Sequence, residues 1–141
     1  MRIKDVFWFS GATNDVLFLM ERDIFFESVT RFFTANGFER GGMAGGQFHG
    51  KMLRRMLEPT MLQKFSSYIG SNGDIFINYL NSIRELYSVI VKKEFDLEDA
   101  WEKVEQFKKC FQKVHVYGVS ETLKESIQIL YPRLHFKWCI I

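Results

Sequence analysis

Most of the chain carries a helical pattern of apolar and polar positions. From residue 15 to about residue 112, apolar residues recur at the three- and four-residue spacing of a buried helix face. In the first stretch, Phe25, Val29 and Phe32 share one such face. The spacing predicts a series of helices, over residues 15–36, 51–57, 59–69, 74–93 and 96–112.

Local cap and breaker residues set the predicted bounds of these helices. Gly37 and Gly70 are typical residues at which a helix stops. Pro59 predicts a break just before it, because the residue that precedes a proline disfavours the helical conformation. Asp96 has the side chain of a typical N-cap.

The two ends of the chain show a different pattern. Residues 3–9, IKDVFWF, are a short β-prone run followed by turn-forming residues, which predicts a strand. Residues 113–118 alternate between polar and apolar, residues 120–131 have helical spacing, and residues 133–141 alternate again. This order is typical of a βαβ unit. We therefore predict an α+β fold, a mainly helical single domain over residues 1–141 with a small sheet of about three strands.

Composition indicates a globular protein with a large aromatic core. Hydrophobic residues make up 47% of the sequence and charged residues 26%, which excludes a disordered chain. Fifteen of the 141 residues are Phe. Because each buried ring removes about 150–250 Å² from water, we expect rings to dominate the core of a single domain.

Charge and targeting signals favour a cytoplasmic protein. The formal net charge of +2 is too small to predict nucleic-acid binding, which we regard as unlikely for this chain. No apolar run is long enough for a signal-peptide core or a membrane span. Cys110 and Cys139 lack the spacing of a metal site or a disulfide framework, as is typical of free thiols in a reducing compartment. We expect no cofactor and no membrane association.

The most unusual segment is rich in glycine and leads into a basic stretch. Six of the ten glycines lie between Gly37 and Gly50, directly before Lys51, Arg54 and Arg55. Glycine tolerates positive φ and lets a backbone come close to a ligand, so the segment predicts either a binding loop or a mobile connection.

Apolar side chains within this glycine-rich segment favour a protein partner. Phe38, Met43 and Phe48 stand among polar and glycine residues. Exposed apolar groups of this kind are typical of a surface that becomes ordered on binding.

A phosphate-binding motif is partly present in the same segment. Residues 45–51, GGQFHGK, match G-x-x-x-x-G-K, in which backbone amides and a lysine hold phosphates. Position 52 is Met where a nucleotide-triphosphate site needs Ser or Thr for magnesium, and no predicted strand precedes the loop. A looser anion site would use Gly45, Gly46, Gly50 and Lys51.

Other reactive side chains form weaker patterns. His115 and His135 lie on the two predicted C-terminal strands and would be neighbours if those strands pair, but His49 is remote and no metal-ligand spacing occurs. Ser10 and Cys110 are isolated candidates for a nucleophile. The simpler interpretation is that the histidines are surface residues and Cys110 is structural.

These observations favour a small protein-binding module over an enzyme. Its most concrete form is an inhibitor, antitoxin or immunity protein that neutralises another protein, such as a toxin or an enzyme. The alternative is an enzyme or sensor that binds a phosphate or nucleotide ligand through the glycine-rich loop 41–51, and a third hypothesis is RNA or DNA binding by the basic segment. The expected partner-binding residues are Arg40, Phe48, Lys51, Arg54 and Arg55.

Overall fold

The computed structural model describes residues 3–39, 48, 50–90 and 96–117. A π-helical turn, Met20–Ile24, separates the first two helices, and a 3-10 turn, Ser71–Gly73, precedes the fifth. The α-helices of the described residues are α1 Ile3–Leu19, α2 Phe26–Asn36, α3 Gly50–Met56, α4 Pro59–Ile69, α5 Asp74–Ile90 and α6 Leu97–His115.

The predicted α+β fold is wrong, because these residues are helical and include no strand. Residues 3–9, predicted as a strand, form the start of α1. Residues 113–115, also predicted as a strand, form the last turn of α6. Residues 116–117 of the same predicted strand form a turn, and the remainder of the predicted C-terminal strand-helix-strand unit, residues 118–141, lies outside the described residues.

Packing explains why the N-terminal segment is helical. Further along α1, Ala12, Val16 and Leu19 are buried at the spacing of a helix face. The turn-forming residues at positions 10–14 therefore lie inside the helix, where tertiary contacts outweigh their weak local preference. A short β-prone run next to such a face continues the helix instead of forming a strand.

The end of α6 has a similar explanation. Val114 lies three residues after Phe111 and seven after Phe107, and all three side chains are buried. The short alternation of residues 113–117 is thus also the end of a helical stripe, and the helical period decides the structure.

Several predicted helix ends are confirmed. Gly37 follows α2 in the left-handed conformation, with φ of 72°, and its N–H donates to the carbonyl of Phe33. Pro59 is the first residue of α4, and Gly70 follows its last. The Asp96 carboxylate accepts hydrogen bonds from the first backbone N–H groups of α6, as an N-cap does.

The predicted helix over residues 15–36 is interrupted. The N–H of Phe25 donates to the carbonyl of Met20 at 2.7 Å, which closes the π-helical turn. Phe25 itself leaves the helical conformation and lies edge-on to Phe76 of α5, with ring centroids 5.9 Å apart. The break therefore lets the junction between α1 and α2 pack on α5.

The longest packed surface joins α5 and α6. Leu80, Ile83 and Leu86 of α5 and Ala100 and Val104 of α6 are buried. In addition, α1 packs on α5 and α3, and α2 packs on α4. Helix α3 also contacts α4, so α1 and α4 together position it.

Tyr79 places a polar hydroxyl group within this hydrophobic core. The side chain is fully buried on α5, with its ring 5.3 Å from Phe107 and 6.3 Å from Phe111. Its hydroxyl has no hydrogen-bond partner among the described residues. Burial raises the pKa of this hydroxyl well above its ordinary value, and the nearby Asp15 and Cys110 raise the pKa further.

We predict that Tyr79→Phe changes the pH dependence of stability. The unfolded tyrosine ionises near its ordinary pKa of about 10, whereas the folded one stays neutral to higher pH. The contribution of this pKa difference to the free energy of unfolding is fully present below about pH 10. It is lost as pH rises from there towards the folded pKa. Between pH 9 and 11, denaturant titrations should show a steeper loss of unfolding free energy in the wild type than in the variant.

At neutral pH the same variant should be as stable as the wild type or more stable by about 1 kcal/mol, because the buried hydroxyl has no hydrogen-bond partner among the described residues. Parallel pH profiles for the two proteins would contradict this account of Tyr79.

Candidate functional site

Helix α3 carries three of the residues predicted to bind a partner. Leu53 and Met56 are its buried residues. Their spacing leaves Lys51, Arg54 and Arg55 on the exposed side of the helix. A seven-residue helix with one narrow buried side thus presents three cations within about one turn.

The other predicted site residues are distributed differently. Arg40, Gly45 and Gly46 lie outside the described residues. Gly50 is the first residue of α3, directly before Lys51. Phe48 is only 4% exposed and belongs to the hydrophobic core, so its side chain is not part of the surface in this structure.

A cluster of phenylalanine rings surrounds Phe48. Its ring lies 5.0 Å from that of Phe33 and 6.4 Å from that of Phe38. Phe38 in turn stacks on Phe32 at 5.6 Å, and Phe32 lies 4.6 Å from Phe65 of α4. Phe38 and Phe48 therefore both lie in the core, and each contacts a ring of α2.

The side chain of Asn14 on α1 holds the backbone of Phe48. The N–H of Phe48 donates to Asn14 Oδ1 at 3.0 Å, and Asn14 Nδ2 donates to the carbonyl of Phe48 at 3.3 Å. Both bonds are buried, and Asn14 is 3% exposed. One amide thus satisfies both backbone groups of a buried residue that lies outside any helix.

Arg55 is bound to the end of α2. Its guanidinium donates to the carbonyl of Asn36 and lies over the ring of Phe38, 4.2 Å from the centroid. The last carbonyls of a helix have no partner within the helix, so a cation here supplies both a hydrogen bond and a favourable charge. Arg55 therefore connects α3 to α2, although its side chain remains exposed.

Within the described part of the chain, Lys51 and Arg54 make no such connection to another helix. Arg54 Nε donates to the carbonyl of Gly50 on the same helix at 3.3 Å. Among the described residues, no carboxylate lies within ion-pair distance of either cation. Both side chains are exposed. They form the cationic edge, which we define as Lys51 and Arg54.

An open depression lies beside the cationic edge. Its volume is about 640 Å³. The half-buried Met52 contributes to the lining and packs against the core. Of the described residues, those that line this depression are Gly50, Lys51, Met52, Arg54 and Arg55.

The remaining candidates are not brought together by the described residues. His115 ends α6 and stacks on Phe111 with ring centroids 5.4 Å apart, whereas His49 and His135 lie outside the described residues. Ser10 lies within α1, and Cys110 is a partly buried free thiol on α6. Over the described ranges, no group of His, Cys, Asp or Glu could hold a metal ion.

The sequence did not reveal the structural roles of Asn14 and Arg55. Asn14 follows Gly11 and Thr13 and was interpreted as turn and cap chemistry. Arg55 follows Arg54 directly and appeared equivalent to it. The only available sequence signal was that Asn14 stands between Ala12 and Val16, a buried helix spacing that is compatible with a buried polar side chain.

Comparisons with protein-family models, with curated proteins and with solved structures give no match for this chain. Within the described part of the chain, no helix combines the length and apolar character needed to cross a membrane.

We predict that Asn14→Ala lowers the free energy of unfolding by about 2–4 kcal/mol, because it removes two buried hydrogen bonds to the backbone of Phe48. Urea titration monitored by circular dichroism measures this loss. Asn81→Ala is the control, since the Asn81 amide oxygen accepts hydrogen bonds from the partly exposed Arg84, and this variant should lose less than about 1 kcal/mol. Equal losses in the two variants would contradict the role of Asn14.

We also predict different effects for the two neighbouring arginines of α3. Arg55→Ala should destabilise the protein by about 1–2 kcal/mol, because it removes the bond to Asn36 and the contact with Phe38. Arg54→Ala should remain within about 0.5 kcal/mol of the wild type. Urea titrations of the two variants measure these losses of unfolding free energy. A larger loss in Arg54→Ala than in Arg55→Ala would show that Arg55 does not connect the helices.

Proposed function

We propose that this protein is a small cytoplasmic protein-binding module that neutralises another protein, in the manner of an inhibitor, antitoxin or immunity protein. The proposed binding surface is centred on the cationic edge, Lys51 and Arg54. The observation that carries this proposal is that both cations are exposed and have no carboxylate partner among the described residues. Arg40, which lies outside those residues, remains a predicted member of the surface.

The contacts that hold α3 in place support this proposal. Arg55 connects α3 to α2, and Asn14 fixes the chain at Phe48, two residues before α3 begins. A surface whose position is fixed before binding loses less conformational entropy when a partner binds. The cationic edge is therefore suited to a preformed contact.

The alternative function is an enzyme or sensor that binds a phosphate or nucleotide ligand. One observation favours it, since Gly50 and Lys51 both line the open depression. Gly45 and Gly46, the other residues proposed for this site, lie outside the described residues. We rank this function second, because the described residues supply only part of the proposed donor set.

We predict that charge reversal of the cationic edge weakens partner binding. Tagged wild-type protein and the Lys51→Glu/Arg54→Glu variant are used to capture partners from lysate of the source cells, with identification by mass spectrometry. A partner present at stoichiometric amount should bind the variant at least about tenfold more weakly, because each reversed contact becomes a repulsion.

The matched control is Lys109→Glu/Lys113→Glu, which reverses two exposed cations about one turn apart on α6. This variant should retain the partner. Equal retention by both variants would place the binding surface elsewhere. If no protein is captured, and a nucleotide raises the melting temperature of the wild type but not of Lys51→Ala, then the alternative function is correct.

A further inference from the structure

We infer that the partner presents an acidic segment with an apolar side chain between its carboxylates. The carboxylates would bind Lys51 and Arg54, and the apolar side chain would enter the depression beside Met52. This inference depends on the proposed protein-binding function and specifies the chemistry of the partner. It rests on three features of the described residues: two exposed cations without a carboxylate partner there, a third cation directed elsewhere, and a partly buried methionine that lines the same depression.

The first feature is that the cationic edge carries charge without internal compensation. Arg54 uses Nε for the carbonyl of Gly50, and no other hydrogen bond or ion pair of its guanidinium occurs among the described residues. Its terminal nitrogens are therefore available to a carboxylate, which a guanidinium can bind through two parallel hydrogen bonds. Lys51, three positions earlier, provides a second charge on the same side of α3.

The second feature concerns the number and direction of the cations. Arg55 is directed to the carbonyl of Asn36 and the ring of Phe38, so it does not converge with Lys51 and Arg54 on one point. A single phosphate is best held by converging donors. Two separate charges about one turn apart instead match two separate carboxylates.

Nucleic acid fits the same geometry less well. Its affinity comes from many phosphate contacts, each of which needs a positive group. The cationic edge supplies two such groups, and the whole chain has a formal net charge of only +2. The described surface therefore favours a protein segment with a few carboxylates over a continuous polyanion.

The third feature is Met52, which lines the same depression as Lys51 and Arg54. Its side chain is half-buried, packs against the core and lines the depression of about 640 Å³. Methionine is flexible and polarizable, so it adapts to different apolar side chains. An apolar group placed between two carboxylates would be desolvated against Met52 while its neighbours bind the cations.

The test uses a short fluorescent peptide in which glutamates flank a central leucine, with binding to the full-length protein measured by fluorescence anisotropy at low salt. One matched peptide replaces the glutamates with glutamine, and another replaces the leucine with serine. We expect the acidic peptide to bind. The glutamine peptide should bind at least about tenfold more weakly, and the serine peptide about threefold more weakly.

Protein variants locate the peptide on the surface. Lys51→Glu/Arg54→Glu should weaken binding of the acidic peptide about tenfold or more, whereas Lys109→Glu/Lys113→Glu should change it less than about twofold. Raising the salt concentration should weaken the wild-type interaction, because exposed ion pairs are screened. No peptide binding, or equal effects of the two double variants, would overturn the inference.

Inorganic phosphate and a short single-stranded oligonucleotide of the same charge as the peptide are the competing probes. If either binds more tightly than the peptide and loses binding in Lys51→Glu/Arg54→Glu, the edge is an anion site of another class and the inference is wrong. A cellular protein captured through the edge without any peptide binding would leave the proposed function standing and would still overturn the acidic-segment inference.

Discussion

The bond pair between Asn14 and Phe48 is the constraint on which the arrangement of α3 depends. Phe48 lies outside the helices, yet it is buried, so its backbone N–H and carbonyl need partners that no helix supplies. The Asn14 amide satisfies both groups. Because Phe48 precedes Gly50, the first residue of α3, by two positions, this pair also fixes where that helix begins. The rings of Phe33 and Phe38 hold the same residue from the other side.

The three cations of α3 have two different roles in this arrangement. Arg55 is used by the fold, since it binds the end of α2 and lies over Phe38. Lys51 and Arg54 project from the same helix without a charged partner among the described residues. A cation that stabilises the position of a binding helix and two cations that remain available for binding are different functional elements, although they are close in sequence. Mutagenesis that treats the three as one patch would confuse loss of folding with loss of binding.

Local sequence signals predicted part of this fold well. Pro59, Gly70 and Asp96 act through the conformation or hydrogen bonds of their own neighbourhood, so their effects on α4 and α6 were predictable. The strand predicted at residues 3–9 and the described part of the strand predicted at residues 113–118 are wrong, because a few alternating or β-prone residues are also compatible with a helix. Packing of the neighbouring helical stripe then decides between the two structures.

The candidate site was predictable only in part. The exposure of Lys51, Arg54 and Arg55 follows from the helical spacing of their apolar neighbours. The burial of Phe48 depends instead on Asn14, which lies 34 positions away in sequence. A pattern among neighbouring residues does not reveal a contact between residues so far apart in sequence, so Phe48 was predicted as a surface residue. The different use of Arg55 likewise depends on α2, which is distant in sequence from α3.

Amide hydrogen exchange of Phe48, measured by NMR on the free protein, is the most direct test of this account. We predict that its N–H is protected to a degree similar to that of Leu80 in the buried part of α5, because the bond to Asn14 is buried and the surrounding rings are packed. Exchange at the rate of an unprotected backbone amide would contradict the account. It would show that the segment before α3 is not held in the core and that the cationic edge lacks a fixed support.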